Sequence, residues 1–292
     1  MKDALIVSAL SLLPRKPAAR GMGAVARTRA SRWLTRAFVQ AYGVDLSEAE
    51  GELADYPTLE DLFTRTLKPG SRPIDPAPDA LVSPVDGTVA AAGRTENGLI
   101  EVAPGRTLDV ADLLGMEPGD PIEFDTAVLY LSPKDYHRVH VPREGTAVSW
   151  SYLPGTLWPV FPAAVRRVDN LFSKNERFRV TVDTSGGPLE VVLVGAFGVG
   201  RITVGVTDLV TNAGADAATG TLDPGVAVER GEWLGTFHLG STVILAAPAG
   251  RIRWEVEPGT GVRFGVRIGT LGSGSGTDDP GASEDVKRGS EC

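Results

Sequence analysis

Cysteine is nearly missing from this sequence: the one thiol is Cys292, the last residue. That excludes an internal disulfide framework and a zinc site built on thiolates. Histidine is almost as scarce. His137, His140 and His238 are the whole supply, too few for a histidine-rich metal centre, and no metal is expected. No run of about 18 apolar residues occurs, so a conventional transmembrane helix is not expected. Net positive charge is also lacking, with 29 basic against 37 acidic side chains and a net of −8. A nucleic-acid binder would not look like this over its whole length.

Glycine and proline are abundant, at 35 and 21 of 292 residues. Together they approach a fifth of the chain, which disfavours a helical bundle and favours short strands joined by turns. The charge is also divided unevenly. Residues 1–44 hold eight basic side chains against Asp3, a net of +7, while the other 248 residues carry 21 basic and 36 acidic ones. A basic, partly apolar arm on an acidic body suits an anionic surface. The run 4–13 is apolar but short, and Pro14, Arg15, Lys16 and Pro17 follow it. With one weak n-region charge and Asp3 beside it, an interfacial helix fits better than a secretory signal.

Periodicity predicts a helix over 30–42, with Trp33, Leu34, Ala37, Phe38 and Ala41 on one face. Thr58 followed three residues later by Asp61 predicts a capped short helix over 58–66. From residue 69 the texture becomes β. Val-rich runs at 87–92, 99–102, 127–131, 147–152, 178–182, 189–195, 201–206, 241–246 and 262–268 are bounded by Gly, Pro or Asp. One helix is expected within 159–168. The expected fold is α+β: a basic helical region over 1–68, a mainly antiparallel β domain over 69–271, and a disordered polar tail over 272–292.

Four segments carry candidate chemistry. Ser83-Pro84-Val85-Asp86-Gly87 by itself reads as a turn. Tyr136-His137-Arg138-Val139-His140 places two histidines three apart, and on an extended segment that spacing points them to opposite faces and disfavours a shared metal. Gly198-Val199-Gly200 lacks the rest of a phosphate loop and reads as a turn. Phe237-His238-Leu239-Gly240-Ser241-Thr242 contains a serine without a nucleophile elbow. Asp86, His140 and Ser241 are nevertheless the parts of an orienter, base and nucleophile. On residue types alone, a serine hydrolase and a non-enzymatic β module attached to membranes both stay open.

Leu239-Gly240-Ser241-Thr242, Pro84-Val85-Asp86-Gly87, Tyr136-His137-Arg138-Val139-His140 and Phe172-Ser173-Lys174-Asn175-Glu176-Arg177, in that family's order, resemble the phosphatidylserine decarboxylase proenzymes, and Val194-Gly195-Ala196 resembles their neighbouring strand. The resemblance runs from about 50 to 270. It implies a proenzyme that cuts itself between Gly240 and Ser241, giving chains of 240 and 52 residues that stay together as a heterodimer; higher oligomers stay open. It implies that Ser241 attacks the Gly240 carbonyl and becomes a covalent pyruvoyl group, with His140 as base and Asp86 as its orienter. Phosphatidylserine in the membrane would then be converted to phosphatidylethanolamine and CO2 through a pyruvoyl Schiff base, with His137 as acid and base. Arg138, Lys174 and Arg177 are available cations for the phosphate. The implied location is the cytoplasmic side of the cell membrane, peripherally attached. His238 receives no role from the resemblance.

Overall fold

The computed structural model describes residues 14–117, 119, 122–198, 200–238 and 240–272. The apolar run 4–13 and the tail beyond 272 lie outside the described residues. Three helices open the chain: α1 (Arg15–Ala26), α2 (Arg32–Tyr42) and α3 (Leu59–Phe63). α2 ends where Gly43 turns left-handed, at φ +65°, a conformation a residue with a Cβ resists. α3 begins as its sequence predicts, with the Thr58 hydroxyl accepting from the Asp61 amide. Among the described residues, no helix is long and apolar enough to cross a membrane.

Sixteen strands follow in the described residues. They begin with β1 (Ala80–Val82), β2 (Gly87–Arg94), the hairpin β3 (Leu99–Ala103) and β4 (Arg106–Asp109), then β5 (Phe124–Leu131), β6 (Arg138–His140) and β7 (Gly145–Leu153). Short helices α4 (Val110–Leu114), α5 (Pro162–Val165) and α6 (Leu171–Lys174) interrupt them. β8 (Arg177–Thr184), β9 (Gly187–Gly195), β10 (Ile202–Val204), β11 (Ala218–Val228), β12 (Trp233–Phe237), β13 (Ser241–Pro248), β14 (Ile252–Trp254), β15 (Gly261–Val262) and β16 (Arg267–Leu271) complete the set. All strand pairings are antiparallel.

The frame is an eight-stranded sheet in the order β11-β7-β8-β9-β13-β5-β2-β15. β13 lies between β9 and β5 and is buried through to Ala247. Side chains alternate faces along a strand, and the two cores follow that rule. Val243, Leu245 and Ala247 join Val139, Val141, Leu234 and Phe237 on one face. Ile244 and Ala246 join Ile100, Leu113 and Phe172 on the other. The large sheet is therefore a middle layer, with the small sheets β10-β12-β6 and β1-β16-β14 on one side and the β3–β4 hairpin and short helices on the other. Burying each such aliphatic side chain contributes roughly 1.5–3 kcal/mol.

Four expectations change. The run 262–268 is two strands, split by a turn in which Gly265 has φ +88°. The helix within 159–168 shrinks to the single turn α5. β1, β4, β6, β11, β12 and β14 lie outside the predicted runs; β11 is an exposed edge strand holding Pro224, and edges are where a ladder tolerates proline. The helical region is also not a detached arm: Lys16 pairs with buried Glu176 at 3.2 Å, and Arg20 Nε donates to the Asn212 carbonyl at 2.9 Å.

Candidate active site

Ser241 is the first residue of β13, hydrogen-bonded in register between Gly195 and Leu131. It shares the parity of Val243 and Leu245, so it belongs to the face covered by β6, β10 and β12. It is fully buried, and its Oγ has no hydrogen-bond partner among the described residues. Gly240 before it sits at φ +64°, with room for ordinary contacts only to Ala196 and Phe197. Glycine is thus required there by conformation, not by crowding.

β12 delivers the chain to this point. The Phe237 amide donates to the His137 carbonyl at 3.0 Å, which extends the β12–β6 pairing to the first histidine. The His238 amide donates to the Arg201 carbonyl at 3.0 Å. Its ring bridges Glu60 Oε1, 2.5 Å from Nδ1, and the Thr203 hydroxyl, 3.2 Å from Nε2. Glu60 also receives Arg201 at 2.9 Å. Burial works to raise the Glu60 pKa, but His238, Arg201 and Arg27 outweigh it and hold the carboxyl below its usual range. No motif or spacing pointed to Glu60 on α3 as a partner of the segment before Ser241.

The two other histidines occupy different surroundings. His137 is completely buried against the Phe63 ring, with centroids 4.0 Å apart. Its Nδ1 donates to the Asp135 carbonyl at 2.9 Å, which leaves Nε2 as a buried acceptor without a partner among the described residues. Burial, with help from Arg65, pushes its pKa down to about 3. His140 stacks flat on Phe264 at 3.7 Å. Its Nδ1 donates to the Gly231 carbonyl at 2.9 Å, and its Nε2 accepts from the Tyr136 hydroxyl at 3.1 Å. Burial lowers it to about 4, opposed by the Gly231 carbonyl. Both rings are neutral Nδ1–H tautomers near pH 7, the form a general base needs.

Asp86 precedes β2. Arg72 grips its carboxylate with two contacts of 3.1 and 2.6 Å, and the Phe264 amide donates at 2.8 Å. The structure therefore does not join Asp86, His140 and Ser241 by direct hydrogen bonds. The His140 tautomer is set by Gly231, and Asp86 acts on that ring through Phe264, whose backbone it fixes and whose ring stacks on the imidazole. Gly87 lies opposite Leu131, which pairs with Ser241. Two interstrand spacings, about 10 Å, separate those rows. Arg72, Phe264, Gly231 and Tyr136 were not expected here; of these, only Tyr136 lies within a segment that sequence had singled out. Arg177 is committed to the Leu113 and Asp112 carbonyls at 2.6 and 2.8 Å, which disfavours it as a phosphate ligand.

Fold and site define a class: an α+β enzyme with a buried serine heading its central strand behind a left-handed glycine, joined through β12 to a strand that carries neutral, buried histidines. The chain belongs to the phosphatidylserine decarboxylase family, whose profile matches residues 59–270. It is similar to the phosphatidylserine decarboxylase proenzymes of Anaeromyxobacter sp. (strain K), at 42% identity over 92% of this chain and 99% of the relative, and of Myxococcus xanthus (strain DK1622), at 38% over 93% and 100%. That of Bordetella avium (strain 197N) is 40% identical over 92% and 94%. Membership makes the chain a decarboxylase that is made as a proenzyme.

Proposed function

We propose that this protein cuts itself at Gly240–Ser241 and then decarboxylates phosphatidylserine to phosphatidylethanolamine at the pyruvoyl group that Ser241 becomes. The observation that carries the reading is the buried Ser241 hydroxyl, without a partner among the described residues, next to a glycine at φ +64°. An unpaired buried hydroxyl costs about 1–3 kcal/mol, so its retention calls for a use. Ser241 Oγ attacks the Gly240 carbonyl carbon, the C–N bond breaks, and the amide becomes an ester. Loss of the Ser241 α-proton then expels the Gly240 carboxylate, ending the larger chain at residue 240, and water hydrolyses the dehydroalanine left at 241 to the pyruvoyl group with release of ammonia.

A pyruvoyl carbonyl would supply a sink for the electron pair left on the substrate carbon as CO2 departs. The surroundings fit such a group: it would be held covalently at the head of β13, where Ser241 is fully buried, and the Nε2 of His137 is a buried acceptor without a partner among the described residues. On this reading His140 is the base of maturation, and His137 holds or delivers the proton at the substrate carbon. A second reading exchanges the histidines, because the Nε2 lone pair of His137 is unengaged while that of His140 is taken by Tyr136. The apolar and basic N-terminal helices then attach the enzyme peripherally to the cytoplasmic face of the membrane, its two chains remaining one heterodimer.

Mass spectrometry and CO2 release on the same samples test all of this. Wild-type protein should give a chain of 240 residues and a blocked chain of 52, and Ser241→Ala should give one intact inactive chain. His140→Ala should accumulate proenzyme. His137→Ala should cleave normally and lose a factor of about 10²–10⁴ in turnover. The opposite pattern for the histidines selects the second reading, and an active, cleaved Ser241→Ala protein overturns both.

A further inference from the structure

A cavity of about 580 Å³ opens between α1 and the 201–213 segment. Arg20, Arg27 and Arg201 line it with Gly23, Thr211 and Asn212. On α1, Arg20, Gly23 and Arg27 fall at i, i+3 and i+7, which is one stripe of the helix. Glu60 is the carboxylate that meets these arginines, at 2.9 Å from Arg201 and 3.8 Å from Arg27. Arg20 is turned inward by its Nε bonds to Asn212, at 2.9 Å to the carbonyl and 3.3 Å to Oδ1. Three guanidinium groups against one carboxylate leave the cavity with an excess of positive charge. Forked donors are the arrangement that receives phosphate oxygens.

The opposite flank of α1 is apolar. Met22 and Val25 are 47% and 55% exposed beside a groove floored by Ala18, Leu34 and Leu59, and Trp33 on α2 is 73% exposed. A free ion has no use for these side chains, and the acidic body repels nucleic acid. A basic socket and exposed apolar residues on one helix fit a phospholipid at the bilayer interface. We propose that the Arg20–Arg27–Arg201 cavity is a socket for the phosphate of an anionic phospholipid headgroup, filled when Met22 and Val25 enter the interface. The inference rests on the reading of this enzyme as one that works on membrane lipid. Arg201 also carries the carbonyl that holds His238, so a seated headgroup braces the segment leading to Gly240.

The test uses the full chain and vesicles of phosphatidylcholine with or without phosphatidic acid, free of phosphatidylserine. In a socket each arginine makes charge-assisted hydrogen bonds to the phosphate, so Arg20→Gln with Arg27→Gln should weaken binding by roughly a hundredfold or more. Arg29→Gln with Arg36→Gln, the same charge change at exposed positions, should cost far less. Equal losses in the two pairs would show diffuse attraction and overturn the socket. Arg20→Lys keeps the charge but loses the fork, and undiminished binding by that variant also overturns it. Met22→Ser with Val25→Ser should weaken vesicle binding while leaving stabilisation by inorganic phosphate unchanged; unchanged vesicle binding would make this a free-phosphate site and sink the lipid assignment. Decarboxylation of a short-chain, monomeric phosphatidylserine by every variant keeps the two ideas apart. Its absence in the wild type defeats the proposed function, whereas its presence with unselective vesicle binding defeats only the socket.

Discussion

At the scale of single residues, the site is marked by polar atoms that burial has left without partners and by histidines that burial keeps neutral. His137 and His140 titrate at about 3 and about 4 in the folded protein, whereas an unfolded imidazole titrates near 6.5. The unfolded chain therefore binds these protons first as pH falls. Their contribution is fully present above about pH 6.5 and drains away toward about pH 4 for His140 and about pH 3 for His137, at about 1.4 kcal/mol per pH unit for each ring. Urea midpoints at a series of pH values check this, and His140→Gln should remove one ring's share of the slope. Gly240→Ala is a second case. The new Cβ has space, so the chain should fold, but a left-handed alanine costs about 1–2 kcal/mol. Slower scission with an intact fold is the expected result, read from the rate at which the 52-residue chain appears.

At the scale of elements, the site depends on how β2, β5 and β13 lie against one another. A Cβ on Gly87 would stand 2.5 Å from the Tyr130 carbonyl oxygen, a backbone atom that cannot step aside. Gly87→Ala should therefore push β2 off β5 and displace Asp86, with a loss of stability on the order of 2 kcal/mol or more. Thermal unfolding, compared with the same substitution at Gly261, which has no positive φ and nothing within 4 Å of the added carbon, separates crowding from the shared cost of a lost glycine. The α3 helix matters for the same reason. It carries Phe63 against His137 and Glu60 against His238, so the helix that Thr58 caps positions partners of two histidines. Thr58→Ala should cost about 1 kcal/mol and loosen both contacts.

For the whole molecule, the N-terminal region, which we propose as the surface for lipid, is also part of the body's packing. Glu176 is buried and takes Lys16, the Tyr152 hydroxyl and the Asn212 amide. Deleting residues 1–44 strips that carboxylate of its cation. The truncated protein should therefore lose vesicle binding and also melt lower, since an unpaired buried charge is costly. Differential scanning calorimetry of the truncated chain checks the second effect. An unchanged melting temperature would show that the helices are held to the body only loosely.

Sequence by itself determined the kind of chain this is. Glycine and proline frequency with Val-rich alternation was enough for an antiparallel α+β fold, because turn conformations and strand faces are local properties. Thr58 with Asp61 located a helix start for the same reason. The four short motifs identified the family, since each keeps its residues adjacent in the chain. Tertiary structure alone decided what surrounds them. That Asp86 is clasped by Arg72, that Gly231 fixes the His140 tautomer 91 residues away, and that Glu60 meets His238 across 178 residues are consequences of sheet order and packing. No periodicity encodes such pairs. The edge strand β11 escaped notice because solvent on its outer side permits Pro224 and Gly225, residues that read as a turn. The neutrality of the histidines likewise follows from burial, which exists only once the layers close over β13.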